Sequence, residues 1–307
     1  MSLFEPFYDP ENSTICVDAD ATVKQINTGT GPDGLYFPLW IEEDRSLADH
    51  IYSQPFASRS FRYGTFGDNV LGMNFKAGGT TVKIGGRTIK NVVGFDFIRF
   101  LCGSGKRFGD IEQLVVRLRP LAECSGAWVV KGDYPSLDGL RKTYLKSPWS
   151  HSADAFDFDV DEKGLRLFLL FPFSRGQEGV LQEYLDELGG KFGVEISPVD
   201  GLPVCESAPL ARIKTTLSRT LPEASDLVRR FGGRSRGYLG NGFFMYQTDA
   251  ARSPGDELTS YLQDLHKRVS SQGGHVDSPG LKYKPSEEEE RWEEVLTEEW
   301  SKLGEMD

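Results

Sequence analysis

Up to Pro120 the apolar positions come in short runs divided by glycine-rich turns. "TICVD" from Thr14 reads as a β-branched strand, and the spacing after Asp20 predicts a helix. Gly31-Pro32-Asp33-Gly34 is a turn signal leading into a second apolar strand, "LYFPLW". A short helix is predicted over Leu47 to Tyr52. "VLGMNFKAGGTTVKIGG" reads as two strands joined at Gly78-Gly79, because paired glycines supply the positive φ angles of a tight hairpin. From about Gly94 a helix is predicted, with Phe95, Ile98, Leu101 and Cys102 at helical spacing. Leu114, Val116 and Leu118 then alternate with Val115, Arg117 and Arg119, a strand that Pro120 stops.

Beyond Pro120 the pattern changes. A strand and helix in "GAWVVKGDYPSLDGLRKTYLKSP" precede a hairpin turning at Asp161 to Gly164. An amphipathic helix follows, ended in this reading by Gly189-Gly190, and then the strand "VEISPV". That β-α-β-β-α-β order is the split βαβ, ferredoxin-like motif. Ala211 to Phe231 reads as a basic helical stretch, "RSRGYLGNGFFMYQT" as a turn and strand, and Pro254 to Ser271 as another amphipathic helix. "SEEEERWEEVLTEEWSKL" has a Ser cap and early Glu residues, with Trp292, Val295, Leu296, Trp300 and Leu303 on one stripe. No internal repeat stands out. The pattern predicts an α+β protein in three parts: residues 1–121, an α/β unit over 122–270, and an acidic C-terminal helix within 271–307.

Composition narrows the function classes. The 307 residues carry a net charge of −11, which argues against a nucleic-acid surface built on clustered cations. Cys16, Cys102, Cys124 and Cys205 are scattered without metal-ligand spacing, and no secretory signal pattern is visible, so a reducing, cytoplasmic setting is expected. The longest apolar stretch, "LRLFLLFPF", is far below the roughly 20 residues that cross a bilayer. His50, His151, His266 and His275 do not make a ligand set, and no metal site is expected. No nucleophile–base arrangement identifies catalytic residues. Asp157 and Asp159 share one face of a strand and are expected to be solvent-exposed beside a turn. Among the arginines between Arg212 and Tyr238, Arg236 opens a glycine-rich turn and is the candidate for gripping a carboxylate substrate.

Four stretches occur in an order that carries a resemblance: "VDADATVKQINTGTGPDGLYFPL", "SRSFRYGTFGDNVLGM", "GGRTIKNVVGFDFIRFLCGS" and "GDIEQLVVRLRP". Together they resemble FAD-linked oxidases of the vanillyl-alcohol oxidase type, and among these the FAD-binding E subunit of glycolate oxidase. The resemblance implies that the first block is the second FAD-binding lobe of such a fold and that the ferredoxin-like unit is its substrate cap. It implies FAD, a glycolate- or lactate-type 2-hydroxy acid as substrate, and an iron–sulfur subunit as electron acceptor. Matched motif to motif, Gly103, Ser104, Gly109, Asp110 and Ile111 lie along the adenosine side of the cofactor. Ala57 and Ser58 fall near the diphosphate and ring, and Asn91 and Gly94 belong to the shared signature. Small residues suit these places because a side chain would keep backbone N–H groups from cofactor oxygens.

The departures shape the expectation equally. The match begins at Thr14, so the first lobe with its diphosphate loop is expected from a partner chain. Ala48-Asp49 replaces a glycine pair, "QPFA" replaces a small-residue loop, and "GSGKRFG" places Lys106 and Arg107 among small positions. A carboxylate at Asp49 is unwelcome near phosphates unless it is paired. These changes leave a flavin-free structural or regulatory subunit as the alternative reading.

Overall fold

The computed structural model describes residues 7–39, 45–53, 57, 59–86, 97–202, 210–240, 242–248, 255–278 and 281. They form two compact units, one drawn from residues 1–57 and 63–121, the other from 58–62 and 122–282. The tail helix with Trp292 and Trp300, and site candidates Ser58, Asn91 and Gly94, lie outside the described residues.

The first unit is built on a five-stranded sheet. In chain order its elements are β1 (Tyr8–Asp9), β2 (Thr14–Asp18), α1 (Val23–Thr30), β3 (Leu35–Tyr36) and α2 (Leu47–Ser53). After the short α3 (Ser60–Tyr63), whose residues 60–62 are counted with the other unit, come β4 (Val70–Ala77), β5 (Thr80–Gly85), α4 (Phe97–Leu101), β6 (Asp110–Arg117) and β7 (Arg119–Pro120). The sheet order is β1-β2-β6-β4-β5, with β6 central. Its Leu114, Val115 and Val116 are fully buried, as the apolar run predicts for a strand covered on both faces. Thr22 caps α1: its hydroxyl accepts from the Gln25 N–H while the Gln25 side chain accepts from the Thr22 N–H. The hairpin at Gly78-Gly79 forms as expected, with both glycines at positive φ.

The second unit contains an eight-stranded antiparallel sheet that is a duplicated motif. Its first half runs β8 (Cys124–Lys131), α5 (Tyr134–Tyr144), β9 (Ala155–Asp161), β10 (Gly164–Phe173), α6 (Glu178–Phe192) and β11 (Glu195–Val199). The second half runs β12 (Ala211–Lys214), α7 (Thr220–Phe231), β13 (Arg234–Tyr238), β14 (Phe243–Gln247), α8 (Asp256–Ser270) and β15 (His275–Asp277). The order β11-β8-β10-β9-β13-β14-β12-β15 is one ferredoxin-like unit followed by its mirror sequence, joined edge to edge where β9 pairs with β13. Leu137 and Leu140 of α5, Leu181 and Leu185 of α6, Leu221 and Leu227 of α7 and Leu262 and Leu265 of α8 share one core cluster with Phe156, Phe158, Leu167 and Phe244. The helices of both halves therefore cover one face of the sheet.

Four expectations are corrected here. An internal repeat does exist, carried by topology rather than by recurring residues. The region from Ala211 begins with a strand, β12, paired with β14 on one side and β15 on the other, in which Ala211 and Ile213 are buried while Arg212 and Lys214 alternate with them. Helix α6 passes through Gly189-Gly190 and ends at Gly193, whose left-handed φ of 64° suits glycine. Finally, Asp157 and Asp159 are buried, at 2% and 0% exposure, since β9 is an interior strand between β10 and β13.

Candidate functional site

In the first unit the residues assigned to the adenosine side of a cofactor come together after α4. Gly103, Ser104 and Gly109 lie in the connection from α4 to β6, and Asp110 and Ile111 open β6. A Cβ at Gly109, where φ is +144°, would stand 2.1 Å from the Lys76 carbonyl oxygen, so only glycine fits between this loop and β4. Ala57 is buried, and Ser104 is buried with its hydroxyl oxygen lacking a hydrogen-bond partner.

The loop's backbone donors are spent inside the chain. The N–H of Gly103 donates to the Ile51 carbonyl at 2.9 Å, that of Ser104 to Leu101 at 3.2 Å and that of Gly105 to Tyr52 at 3.3 Å. Arg107 and Gly109 donate to Ser104 and Lys106, each at 3.4 Å. The Ile111 N–H donates to the Tyr52 phenol oxygen at 2.7 Å, and that phenol donates in turn to the Gly109 carbonyl at 3.1 Å. Burial pushes the Tyr52 pKa up to about 12, with the Ile111 N–H pulling the other way, so the hydroxyl keeps its proton at neutral pH and both bonds hold. Leu47 and Ile51, fully buried on α2, fix the helix that carries Tyr52. Asp49 is paired with Lys106 at 3.7 Å, and the same ammonium stands 5.4 Å from the centre of the Tyr52 ring. The loop as it stands offers a flavin one orphaned hydroxyl, Ser104, and few N–H groups, so these described residues alone do not fit FAD. Tyr52 escaped the sequence reading although it sits between the two noted departures, Ala48-Asp49 and Gln54 to Ala57, in a stretch where the resemblance calls for small residues.

In the second unit the strand registers align one row across all eight strands. It reads Asp277, Arg212, Met245, Arg236, Asp159, Arg166, Lys131, Glu195. Charges along it pair with neighbours: Arg212 with Asp277 at 3.5 Å, Arg166 with Asp159 at 2.7 Å, Lys131 with Glu195 at 3.8 Å. Asp159 also accepts two bonds from Arg234, at 2.6 and 2.5 Å, and Arg236 lies 3.8 Å from it. Arg236, the expected substrate arginine, is thus buried beside a carboxylate that three guanidiniums share. Arg166 bridges onward to Asp161. Two residues along β9, Asp157 is buried with its Oδ1 lacking a hydrogen bond. Burial raises its pKa to about 8, with the Arg236 charge restraining the rise. Among the described residues no group of three or more His, Cys, Asp or Glu is arranged to hold a metal ion, and no helix is long and apolar enough to cross a membrane.

Three curated relatives are similar to this chain in sequence over part of its length. A D-lactate dehydrogenase of Archaeoglobus fulgidus is 30% identical over 114 residues, which is 36% of this chain and 26% of that protein. The mitochondrial D-lactate dehydrogenase (cytochrome) of Arabidopsis thaliana is 28% identical over 38% of this chain and 20% of its own length. The glycolate oxidase subunit GlcD of Bacillus subtilis is 26% identical over 44% of this chain and 29% of its own length. The chain therefore spans between a fifth and a third of the length of these relatives. No protein-family profile matches it. Among solved structures, an alkyldihydroxyacetonephosphate synthase superposes on 98% of this chain and 65% of its own, with a TM-score of 0.66 and 11% identity. A second structure of an alkyldihydroxyacetonephosphate synthase covers 87% of the chain at a TM-score of 0.58 and 9% identity. Sharing its fold over nearly its whole length with an alkyldihydroxyacetonephosphate synthase, and similar in sequence over about two fifths of its length to D-lactate dehydrogenases and GlcD, the chain resembles the FAD-linked oxidases of the vanillyl-alcohol oxidase type.

Proposed function

We propose that this chain is a subunit of an FAD-linked oxidoreductase acting on a glycolate- or lactate-type 2-hydroxy acid, with the flavin bound with the help of a partner chain. The observation that carries the proposal is the sequence similarity of part of this chain to D-lactate dehydrogenases and to a glycolate oxidase subunit, on a chain whose second unit is a two-half sheet suited to the role of a cap. The need for a partner is supported by the loop from Gly103 to Ile111, whose N–H groups are largely occupied within the chain. In this reading Ala57, Ser58, Asn91, Gly94, Gly103, Ser104, Gly109, Asp110 and Ile111 form this chain's share of the flavin site. Arg236 meets the substrate carboxylate, and an iron–sulfur subunit is the class of partner that takes the electrons.

A second reading, a flavin-free structural or regulatory subunit on the same scaffold, is favoured by the Tyr52 bonds to Ile111 and Gly109. A visible absorbance spectrum separates the two. The first reading expects a flavin band when the chain is purified together with its natural partners, lost when the partners are removed. A complex that forms but carries no flavin with added FAD leaves only the second.

A further inference from the structure

We infer that Tyr52 is the residue that closes this chain's adenosine-side surface, holding it shut against a dinucleotide until the phenol is displaced. The inference rests on the reading that the loop from Gly103 to Ile111 is the flavin-facing one. A nucleotide approaching the loop's exit would meet main-chain groups there, since Gly109 carries no side chain and leaves its carbonyl and the nearby Ile111 N–H as the recognition points. The two main-chain groups at its exit, the Gly109 carbonyl and the Ile111 N–H, are a paired acceptor and donor of the kind an adenine edge requires. Both are taken by one phenol, whose oxygen is 3.1 Å from the first and 2.7 Å from the second.

The closure is built in rather than incidental. Tyr52 is 5% exposed and lies 59 residues from Ile111, so its position is set by tertiary packing and not by the local turn. Its own carbonyl accepts from the Gly105 N–H, and the preceding Ile51 carbonyl accepts from Gly103, which ties the loop to α2 on both sides of the side chain. The Lys106 ammonium spans from the Tyr52 ring to Asp49, adding a charged strap over the same place. A ligand that takes the Ile111 N–H must move the ring, and loses nothing if the ring is absent.

The test uses the full chain and three probes: ADP, FAD and the isoalloxazine-only compound lumiflavin. Tyr52→Ala is expected to bind ADP and FAD at least tenfold tighter than the parent chain, about 1.4 kcal/mol, with lumiflavin unchanged. Tyr52→Phe keeps the ring and removes the hydroxyl, so amide hydrogen exchange at Ile111 is expected to accelerate at least tenfold with the rest of β6 unchanged. A folded Tyr52→Ala chain with no gain for ADP overturns the inference. So does a parent chain that binds FAD while the Ile111 amide stays as protected as before. These readouts need neither turnover nor a partner, so they fail independently of the proposed activity: a flavin band in the purified complex without an ADP gain sinks only the Tyr52 closure. An ADP gain with a flavin-free complex sinks only the oxidoreductase reading.

Discussion

Replacing Asp157 by Asn should abolish the pH dependence that this one buried carboxyl imposes on the second unit. In the folded chain its pKa is about 8, whereas the unfolded chain has the ordinary 3.8. A raised folded pKa means that the group costs nothing below 3.8, where both states are protonated. As pH rises the unfolded state ionises first and stability drains away, until the loss is complete above about 8. About four pKa units at 1.36 kcal/mol each is on the order of 5 kcal/mol, comparable with the whole stability of an ordinary domain. The charge that bears on it is Arg236, which favours ionisation, while Asp159, two residues on, is held by Arg166 and Arg234. In the same register row stand Tyr238, Lys214 and His275, the last two across Phe243. Asn cannot ionise, so the variant should lose about 1 kcal/mol at acid pH for an imperfectly bonded amide and be several kcal/mol the more stable near pH 9. Urea unfolding of both chains at intervals from about pH 5 to about pH 9 measures this directly, since every other titration cancels in the difference. Parallel curves for the two chains, with a constant offset across that range, would refute the burial argument.

Three further outcomes follow from the geometry. Gly109→Ala should destabilise the first unit by about 2 kcal/mol or more, measured by thermal unfolding, because its Cβ would press on the Lys76 carbonyl and its φ of +144° disfavours alanine. Asp159→Ala should cost about 3 to 5 kcal/mol by urea unfolding, since it leaves Arg166 and Arg234 without their buried carboxylate, whereas Glu195→Ala at the exposed end of the same row should cost under about 1 kcal/mol. Phe158→Ala, which removes a fully buried ring packed at 6.2 Å from Phe244, should cost about 3 to 5 kcal/mol and shift the unfolding midpoint of the second unit.

Periodicity made the elements legible where one face alone decides them. The hairpin at Gly78-Gly79, the first β-α-β-β-α-β order and the stripe of α8 all appear in the structure because each is reported by a local turn or by a single buried face. The misses have a shared cause. Asp157 and Asp159 alternate with Phe156 and Phe158 and so look like the wet face of an edge hairpin; only the pairing of β9 with β13, 75 residues on, buries them. Strand pairing at that separation leaves no local trace. Tyr52 was illegible for a similar reason: its apolar ring reads as core, and the two backbone groups its hydroxyl joins are identified only when β6 lies beside α2.

The seam between the two halves of the second unit shows why the duplication is visible in topology and hidden in sequence. Each half must bury the same helix-covered face, so apolar residues recur there with no need for identity, and Phe158 in one half answers Phe244 in the other. What the halves do not share is the chemistry of their meeting edges. β9 brings Asp157, Asp159 and Asp161, while β13 brings Arg234 and Arg236. An exposed β9 edge carrying those acids would be a solvated, self-repelling strand, and an exposed β13 edge a basic one; paired, they form the Asp159 cluster. The opposite charges thus specify that β9 joins β13 and not a second β9, at the same register that aligns Arg212 through Glu195 into one row. Asp157 is the member of that edge left without an arginine of its own, which is why its proton, and not its charge, is what the fold stabilises.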